Sequence, residues 1–200
     1  MTKIAIVYYS NYGTLVKLAE TLKEGIEKVP GVTASIYQIP ETLSEDTLNK
    51  LESIPKADYP VVTFDDLKEA DGVLFGIPTR FGIAAGQVSS FFSSTAGLWA
   101  TGALVGKPAG IFFATGSLGG GQESTAYSTL PFLVHQGMIF VPLGYRAMSL
   151  MSLEEVHGGS PWGAGSLSGH HGARKPTALE LDVAMTQGES FAKVTQKLAN

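Results

Sequence analysis

An uninterrupted apolar run, Ile4 to Tyr9, stops abruptly at Ser10-Asn11-Tyr12-Gly13 and passes into a stretch with apolar residues at Leu15, Leu18, Leu22, Ile26 and Val29. The run reads as a buried strand, and the spacing that follows as an amphipathic helix. A strand that empties into a helix N-terminus presents backbone N–H groups and the positive end of the helix dipole to solvent, which is a ready anion site. Ser10 and Thr14 add hydroxyls, and Gly13 lets the backbone come close to a ligand. The chain has neither the GxxxxGK[ST] loop of a triphosphate site nor the GxGxxG loop of a pyrophosphate site. The loop from Ser10 to Leu15 is therefore read as the seat of a single terminal monophosphate.

The rest of the chain repeats this alternation. Strands are expected over residues 3–9, 32–38, 71–77, 107–114 and 138–142, and helices over 14–29, 84–94, 122–136 and 177–198. The runs from 71 and 107 are almost continuously apolar, as strands covered on both faces are. The pattern predicts an α/β fold, a five-stranded parallel sheet with helices on both faces in the flavodoxin-like arrangement. Two hundred residues suffice for one domain spanning 1–200. Two segments exceed what such a sheet needs: residues 39–63, punctuated by Pro40, Pro55 and Pro60, and residues 143–176, with seven glycines. Loops of this length in a compact domain usually serve a site or an interface.

Composition narrows the function. A net charge of −4 without a Lys/Arg cluster argues against nucleic-acid binding. No apolar run approaches the ~20 residues of a membrane span, and no secretory signal is read at the N-terminus, so a cytoplasmic location is expected, with any membrane association peripheral and through partners. The chain has no cysteine, which excludes disulfides, thiolate metal sites and a thiol nucleophile. The adjacent His170 and His171 have no carboxylate at helical spacing, so no metal site is expected.

In an open α/β sheet, ligands bind beyond the carboxyl ends of the strands. The loops after the first, third and fourth expected strands should converge there. The second of these is Pro78-Thr79-Arg80-Phe81-Gly82; the third, from Thr115, has four glycines among the six residues 116–121. Thr115, Gly116, Ser117, Leu118, Gly119 and Gly120 would offer backbone amides to the polar edge of a heterocycle. Thr79 supplies a donor, Arg80 a cation able to stabilise negative charge on a reduced ring, and Phe81 a wall. A phosphate seat, two backbone-rich loops and aromatic walls describe a pocket for FMN.

Several blocks resemble the WrbA family, the type IV NAD(P)H:quinone oxidoreductases: Tyr8-Tyr9-Ser10-Asn11-Tyr12-Gly13, Phe75-Gly76-Ile77-Pro78-Thr79-Arg80-Phe81-Gly82, Gly97-Leu98-Trp99-Ala100 and Gly119-Gly120-Gly121-Gln122-Glu123. The blocks from Val141 to Tyr145 and from His157 to Gly165 are similar to its fungal branch. The resemblance runs from about residue 3 to 198. It implies noncovalent FMN, NADH or NADPH and quinones as substrates, and a homotetramer (a dimer of dimers) whose sites neighbouring subunits complete. By matching position, residues 10–15 would hold the phosphate, 79–81 would touch the isoalloxazine, and 115–120 would line its polar edge with His135 nearby. Tyr12 would meet the nicotinamide nucleotide, Trp99 would close the substrate slot beside Phe81, and Tyr145 would form a further wall. His135 and Tyr145 are the residues expected to supply protons to the reduced quinone.

The chain departs from the family pattern at Leu118, which has no counterpart in the shortest glycine loop, at Ala114 in place of a serine, and at Gly169-His170-His171-Gly172. Pro131 lies inside the helix that leads to His135, where it removes a donor and should kink the helix against the Tyr127 carbonyl. The function expected is two-electron, ping-pong reduction of quinones to hydroquinones, protective under oxidative stress. Two other readings use the same loops: a one-electron flavodoxin-type carrier, and a scaffold protein of this fold with little turnover.

Overall fold

In the computed structural model, which describes residues 1–199, each of the five expected strands is present, with shifted ends. They are β1 (Thr2–Tyr8), β2 (Val32–Gln38), β3 (Gly72–Arg80), β5 (Pro108–Thr115) and β6 (Ile139–Phe140). They pair in the order β2-β1-β3-β5-β6, every pair parallel. This is the flavodoxin-like order, with its switch point between β1 and β3. Two short strands were not anticipated. The third strand overruns its expected end to Arg80 and folds back as β4 (Ile83–Ala84), antiparallel to it. β7 (Gly165–Leu167) pairs in parallel with Phe113–Thr115, on the side of β5 that β6 leaves after only two residues.

The two faces of β1 feed two separate cores. Ile4, Ile6 and Tyr8 point into one with Leu15, Leu18 and Leu22 of α1 (Thr14–Glu27) and Phe191 of the last helix. Ala5, Val7 and Tyr9 point into the other with Val73, Phe75, Ile111 and Phe113. That second layer is covered by α3 (Phe64–Glu69), α4 (Gly86–Ser94) and α6 (Gln122–His135), through Leu67, Phe91 and Leu133. Each such side chain, removed from water, contributes about 2 kcal/mol before entropy is counted.

Three short helices lie where loops were read. α2 (Glu45–Lys50) and α3 lie between β2 and β3. α3 is opened by a capping box in which Thr63 and Asp66 exchange bonds. α5 (Ala96–Ala100) buries Leu98 and leaves Trp99 exposed, so the Gly97-Leu98 segment is a helical turn. α6 is continuous through Pro131. The proline and Tyr127 are both exposed.

The last helix, α7 (Ala178–Ala199), lies against α1 at almost backbone contact. A Cβ on Gly188 would stand 2.2 Å from the Leu22 carbonyl oxygen, and one on Gly25 would stand 2.2 Å from the Met185 carbonyl oxygen. Both obstructions are backbone atoms, so no rotamer change relieves them. Gly188→Ala should therefore destabilise the protein by about 3 kcal/mol, seen as a lower urea midpoint with an unchanged m-value.

Candidate functional site

The carboxyl ends of β1, β3 and β5 open on a cavity of about 140 Å³. Its floor is the first loop: Ser10, Asn11, Tyr12, Thr14 and Leu15. Gly13 caps α1 with a φ of 79°, in the left-handed region that glycine takes without strain. The Gly13 N–H donates to Ser10 Oγ at 3.1 Å, folding the loop into a concave turn at the start of the helix. One wall is Pro78, Thr79 and Arg80; the other is Ala114, Thr115 and Gly116. Three loops far apart in sequence thus meet where the alternation pattern expected them.

Side chains around the cavity are held by one another. Arg80 donates from one guanidinium nitrogen to the Thr79 carbonyl (2.9 Å) and from the other to Asn11 Oδ1 (3.1 Å). Asn11 is buried and donates in turn to Ser53 Oγ, so its amide fixes the cation beside the pocket. Thr79 Oγ1 and Thr125 Oγ1 are 2.9 Å apart. Phe81, next in the chain, is outside the cavity lining, with φ 54° and its ring fully exposed. A bulky residue in left-handed backbone costs stability, and an exposed ring gains nothing from the core. Both features suit a wall for a flat ligand.

The long segment after β2 works as a strap over this loop. Lys56 Nζ donates to the Ser10 carbonyl (3.0 Å) and pairs with Glu41 at 2.7 Å. The Tyr12 hydroxyl donates to the Leu51 carbonyl. From the other side, His171 stacks near Tyr12 and its Nδ1 lies 2.6 Å from Glu52. The Gly-His-His-Gly segment therefore closes on the strap across Tyr12.

The glycine loop does not face this cavity as a whole. Ser117, Leu118, Gly119 and Gly120 line a second opening of about 370 Å³ on the far side of Thr115, against His157 to Ser160. Leu118 is exposed there. Two residues of the first cavity, Ser168 and Gly169, were not expected. They come from the glycine-rich segment after β7, which carries no motif.

Three expected site residues lie elsewhere in the subunit. His135 ends α6, whose 14 residues run back from the site over about 20 Å. It is exposed near the amino edge of the sheet, where the next turn joins β5 through Gly106 N–H to Gly137 C=O. Trp99 shares that end: its amide donates to the Thr95 carbonyl, and Gln136, next to His135, donates to Thr95 Oγ1. Tyr145 is exposed beyond β6 and lines neither opening. One subunit therefore does not bring His135, Trp99 or Tyr145 to its own pocket. For His135 and Trp99 the reason is topological, since residues at the far ends of the return helices sit at the opposite sheet edge; Tyr145 follows β6 and lies outside the lining of either opening.

The donor set fits FMN. A helix N-terminus with hydroxyls at Ser10, Thr14 and Thr115 suits a phosphate and a polyol, Arg80 supplies positive charge, and the glycine at 116 leaves the wall open, with no atom closer than 3.8 Å to a Cβ built there. Among the described residues, no three His, Asp or Glu side chains cluster to hold a metal, and no helix is long and apolar enough to cross a membrane.

Fold and site together define a flavodoxin-like protein that uses FMN. The chain belongs to the NADPH-dependent FMN reductase family, whose profile matches residues 2–151. It is 50% identical over 198 residues to quinone-oxidoreductase QR2 of Triphysaria versicolor, covering 98% of this chain and 97% of that one. It is 53% identical over 197 residues to the NAD(P)H quinone oxidoreductase PST3 of Candida albicans, covering 98% of both. Among solved structures, a flavodoxin, WrbA-like protein from Agrobacterium tumefaciens superposes with a TM-score of 0.70 at 22% identity, over 98% of this chain and 99% of that one. That likeness bears on the fold. With the relatives, it bears out the resemblance to the WrbA family read from the sequence.

The strap has a pH signature. Burial alone would raise the Glu41 carboxyl, but hydrogen bonds from Lys56, the Leu43 amide and Tyr9 outweigh it and hold the group below its ordinary value of 4.5. A carboxyl depressed on folding contributes stability above its unfolded value, and the contribution is lost as pH falls through the folded value. Glu41→Gln should therefore be less stable than wild type at pH 7, with the two urea midpoints converging as acid protonates Glu41 in the native state. A constant gap across that range would refute the assignment.

Proposed function

We propose that the protein is an FMN-dependent NAD(P)H:quinone oxidoreductase that reduces quinones to hydroquinones by two electrons. The observation that carries this reading is the convergence of Ser10 to Tyr12 with Thr14 and Leu15, of Thr79 and Arg80, and of Thr115 and Gly116 on one opening at the carboxyl edge of the sheet. The names of the relatives, quinone oxidoreductases at half identity over nearly the whole chain, point the same way. FMN, when bound, would supply the two-electron chemistry between a nicotinamide nucleotide and a quinone. The protein's part is positional and electrostatic. The first loop anchors the phosphate and the Thr115–Gly116 wall flanks the polyol. Arg80, clamped by Asn11, places fixed positive charge beside the ring system without a reorganisation cost. Phe81 and Tyr12 flank a flat slot that nucleotide and quinone occupy in turn, so the kinetics are ping-pong. Delivery of two electrons takes a quinone to its hydroquinone without a radical that reduces oxygen, which is the basis of a protective role in oxidative stress.

His135, Trp99 and Tyr145 enter this reading as residues of neighbouring subunits in a homotetramer. His135 and Trp99 are exposed at the sheet edge opposite the pocket of their own chain, and Tyr145 is exposed outside its lining. Side chains such as Val134, Ile139 and Val105 are exposed around His135, as an interface requires. In the tetramer Trp99 closes the slot, and His135 and Tyr145 are the proton sources for the product.

Initial rates at several quinone concentrations should give parallel double-reciprocal lines against NADPH; intersecting lines would mean a ternary complex and defeat the shared slot. Phe81→Ala should leave thermal stability nearly unchanged, since its ring is outside the core. It should weaken FMN binding about tenfold, the size of one lost aromatic stacking contact, measured by quenching of flavin fluorescence. Sedimentation should give a tetramer. Trp99→Ala should raise the KM for quinone with little change in FMN affinity.

A further inference from the structure

The most heavily bonded side chain in the molecule has no place in the reading above. Glu180 lies in the first turn of α7 and is completely buried. A buried carboxylate is tolerated only when its lone pairs are filled. Here Oε1 accepts from the Gly158 amide (2.8 Å) and the Leu167 amide (3.2 Å). Oε2 accepts from Ser166 Oγ (2.8 Å) and the Thr177 amide (3.0 Å). Arg174 Nη1 donates to both oxygens at 2.9 Å.

Part of this is a helix cap, because Thr177 Oγ1 in turn accepts from the Glu180 amide. A cap explains only that part. The equivalent box on α3 works with Asp66 partly exposed. The remaining bonds of Glu180 go to the chain between 158 and 174.

What they hold is the wall of the cavity. The Leu167 amide goes to Glu180 and its carbonyl to Arg174 Nη1 at 2.8 Å; the Ser168 carbonyl accepts from the Arg174 amide at 2.9 Å. Ser168 then donates from its amide (2.8 Å) and its hydroxyl (3.1 Å) to the Thr115 carbonyl. The opposite side of the same strand is gripped by Gln122, which donates to Thr115 Oγ1 and the Ser166 carbonyl and accepts from the Gly159 amide. Ser168 and Gly169 line the cavity, whereas Glu180 and Arg174 do not.

We propose that Glu180 and Arg174 are positioning residues for the cofactor: an ion pair, with the carboxylate fully buried and the guanidinium half-buried, that presets the Leu167–Gly169 wall and, through Ser168, the Thr115 loop, and so sets the affinity for FMN. The inference rests on the FMN reading. A wall fixed before binding spares the complex the entropy of ordering it. Removing the carboxylate's charge weakens the bonds that Glu180 accepts from Arg174 and from the Gly158, Leu167 and Ser166 donors.

The test titrates FMN into apoprotein by fluorescence quenching, alongside apoprotein melting and hydrogen exchange at the Leu167 and Ser168 amides. Glu180→Gln should raise the FMN dissociation constant about 30-fold, the loss expected for a hydrogen bond to a charged group. Exchange at these two amides should speed up while the amides of β1 keep their protection. Ser166→Ala removes one donor to Glu180 and should raise the constant about fivefold. A variant that melts earlier but binds FMN with wild-type affinity would reduce Glu180 to a core residue and overturn the proposal. If Glu180→Gln does not fold, Ser166→Ala and Arg174→Lys decide, and unchanged affinity in both overturns it. If the wild type itself does not bind FMN, the functional reading falls, and hydrogen exchange alone decides whether the clamp orders the wall.

Discussion

Burial of both faces of β1, β3 and β5 is the constraint on which the site depends. Alternate side chains of β1 go to opposite cores, so no face of the central sheet is left for a ligand. Chemistry is then confined to the strand ends. The connecting helices run back towards the amino edge, so every loop that follows a strand opens at the carboxyl edge. The three ligand loops meet because β1, β3 and β5 are adjacent in the sheet. The close crossing of α1 and α7 through Gly25 and Gly188 keeps the first layer tight beneath the loop that begins α1.

The two segments beyond a minimal fold are built onto the same edge from opposite directions. The first, after β2, reaches over the phosphate loop with Lys56, Ser53 and Leu51 as its contacts. The second adds β7 next to β5 and is stitched down at several points. Gln187, buried in α7, accepts from the Ala164 amide and donates to the Ile111 carbonyl. Glu180 and Gln122 hold the stretch after it. Long loops of this kind cost conformational entropy. Here buried hydrogen bonds to charged and amide groups offset that cost, and the result is a pocket wall with little freedom. The cationic groups at the edge differ in role: Arg80 faces the pocket, whereas Lys56 and Arg174 are held by carboxylates behind it.

The long, strongly patterned elements were legible. The strand before Ser10, the helices from 14 and 122, and the nearly continuous apolar runs around 73 and 110 carry period and length enough to be placed from sequence. The short elements were not. α5 is a single turn and β4 has two residues, so neither has a period to detect; β6, expected over 138–142, pairs only over Ile139–Phe140. Pro131 is legible as the local loss of one donor, within an α6 that runs from Gln122 to His135. The candidate site was legible as three loops, since each combines glycine, hydroxyls or a cation where a strand ends. Thr177-Ala178-Leu179-Glu180 fits the T-x-x-E capping signature, a local motif that carries nothing about the other partners of Glu180.

By itself the sequence determined the α/β alternation, the flavodoxin-like class and the family blocks, with the loop at Ser10–Leu15 among them. These are local matters, written in periodicity and in the chemistry of a few adjacent residues. Tertiary structure alone decided which partners distant residues take. It fixed Asn11 on Arg80, divided the glycine loop between two openings, set Glu180 behind the wall at Ser168, and placed His135 and Trp99 at the opposite edge of the sheet. Those outcomes depend on where chain segments dozens of residues apart come to rest, and burial and hydrogen-bond satisfaction settle that only when the whole sheet is assembled.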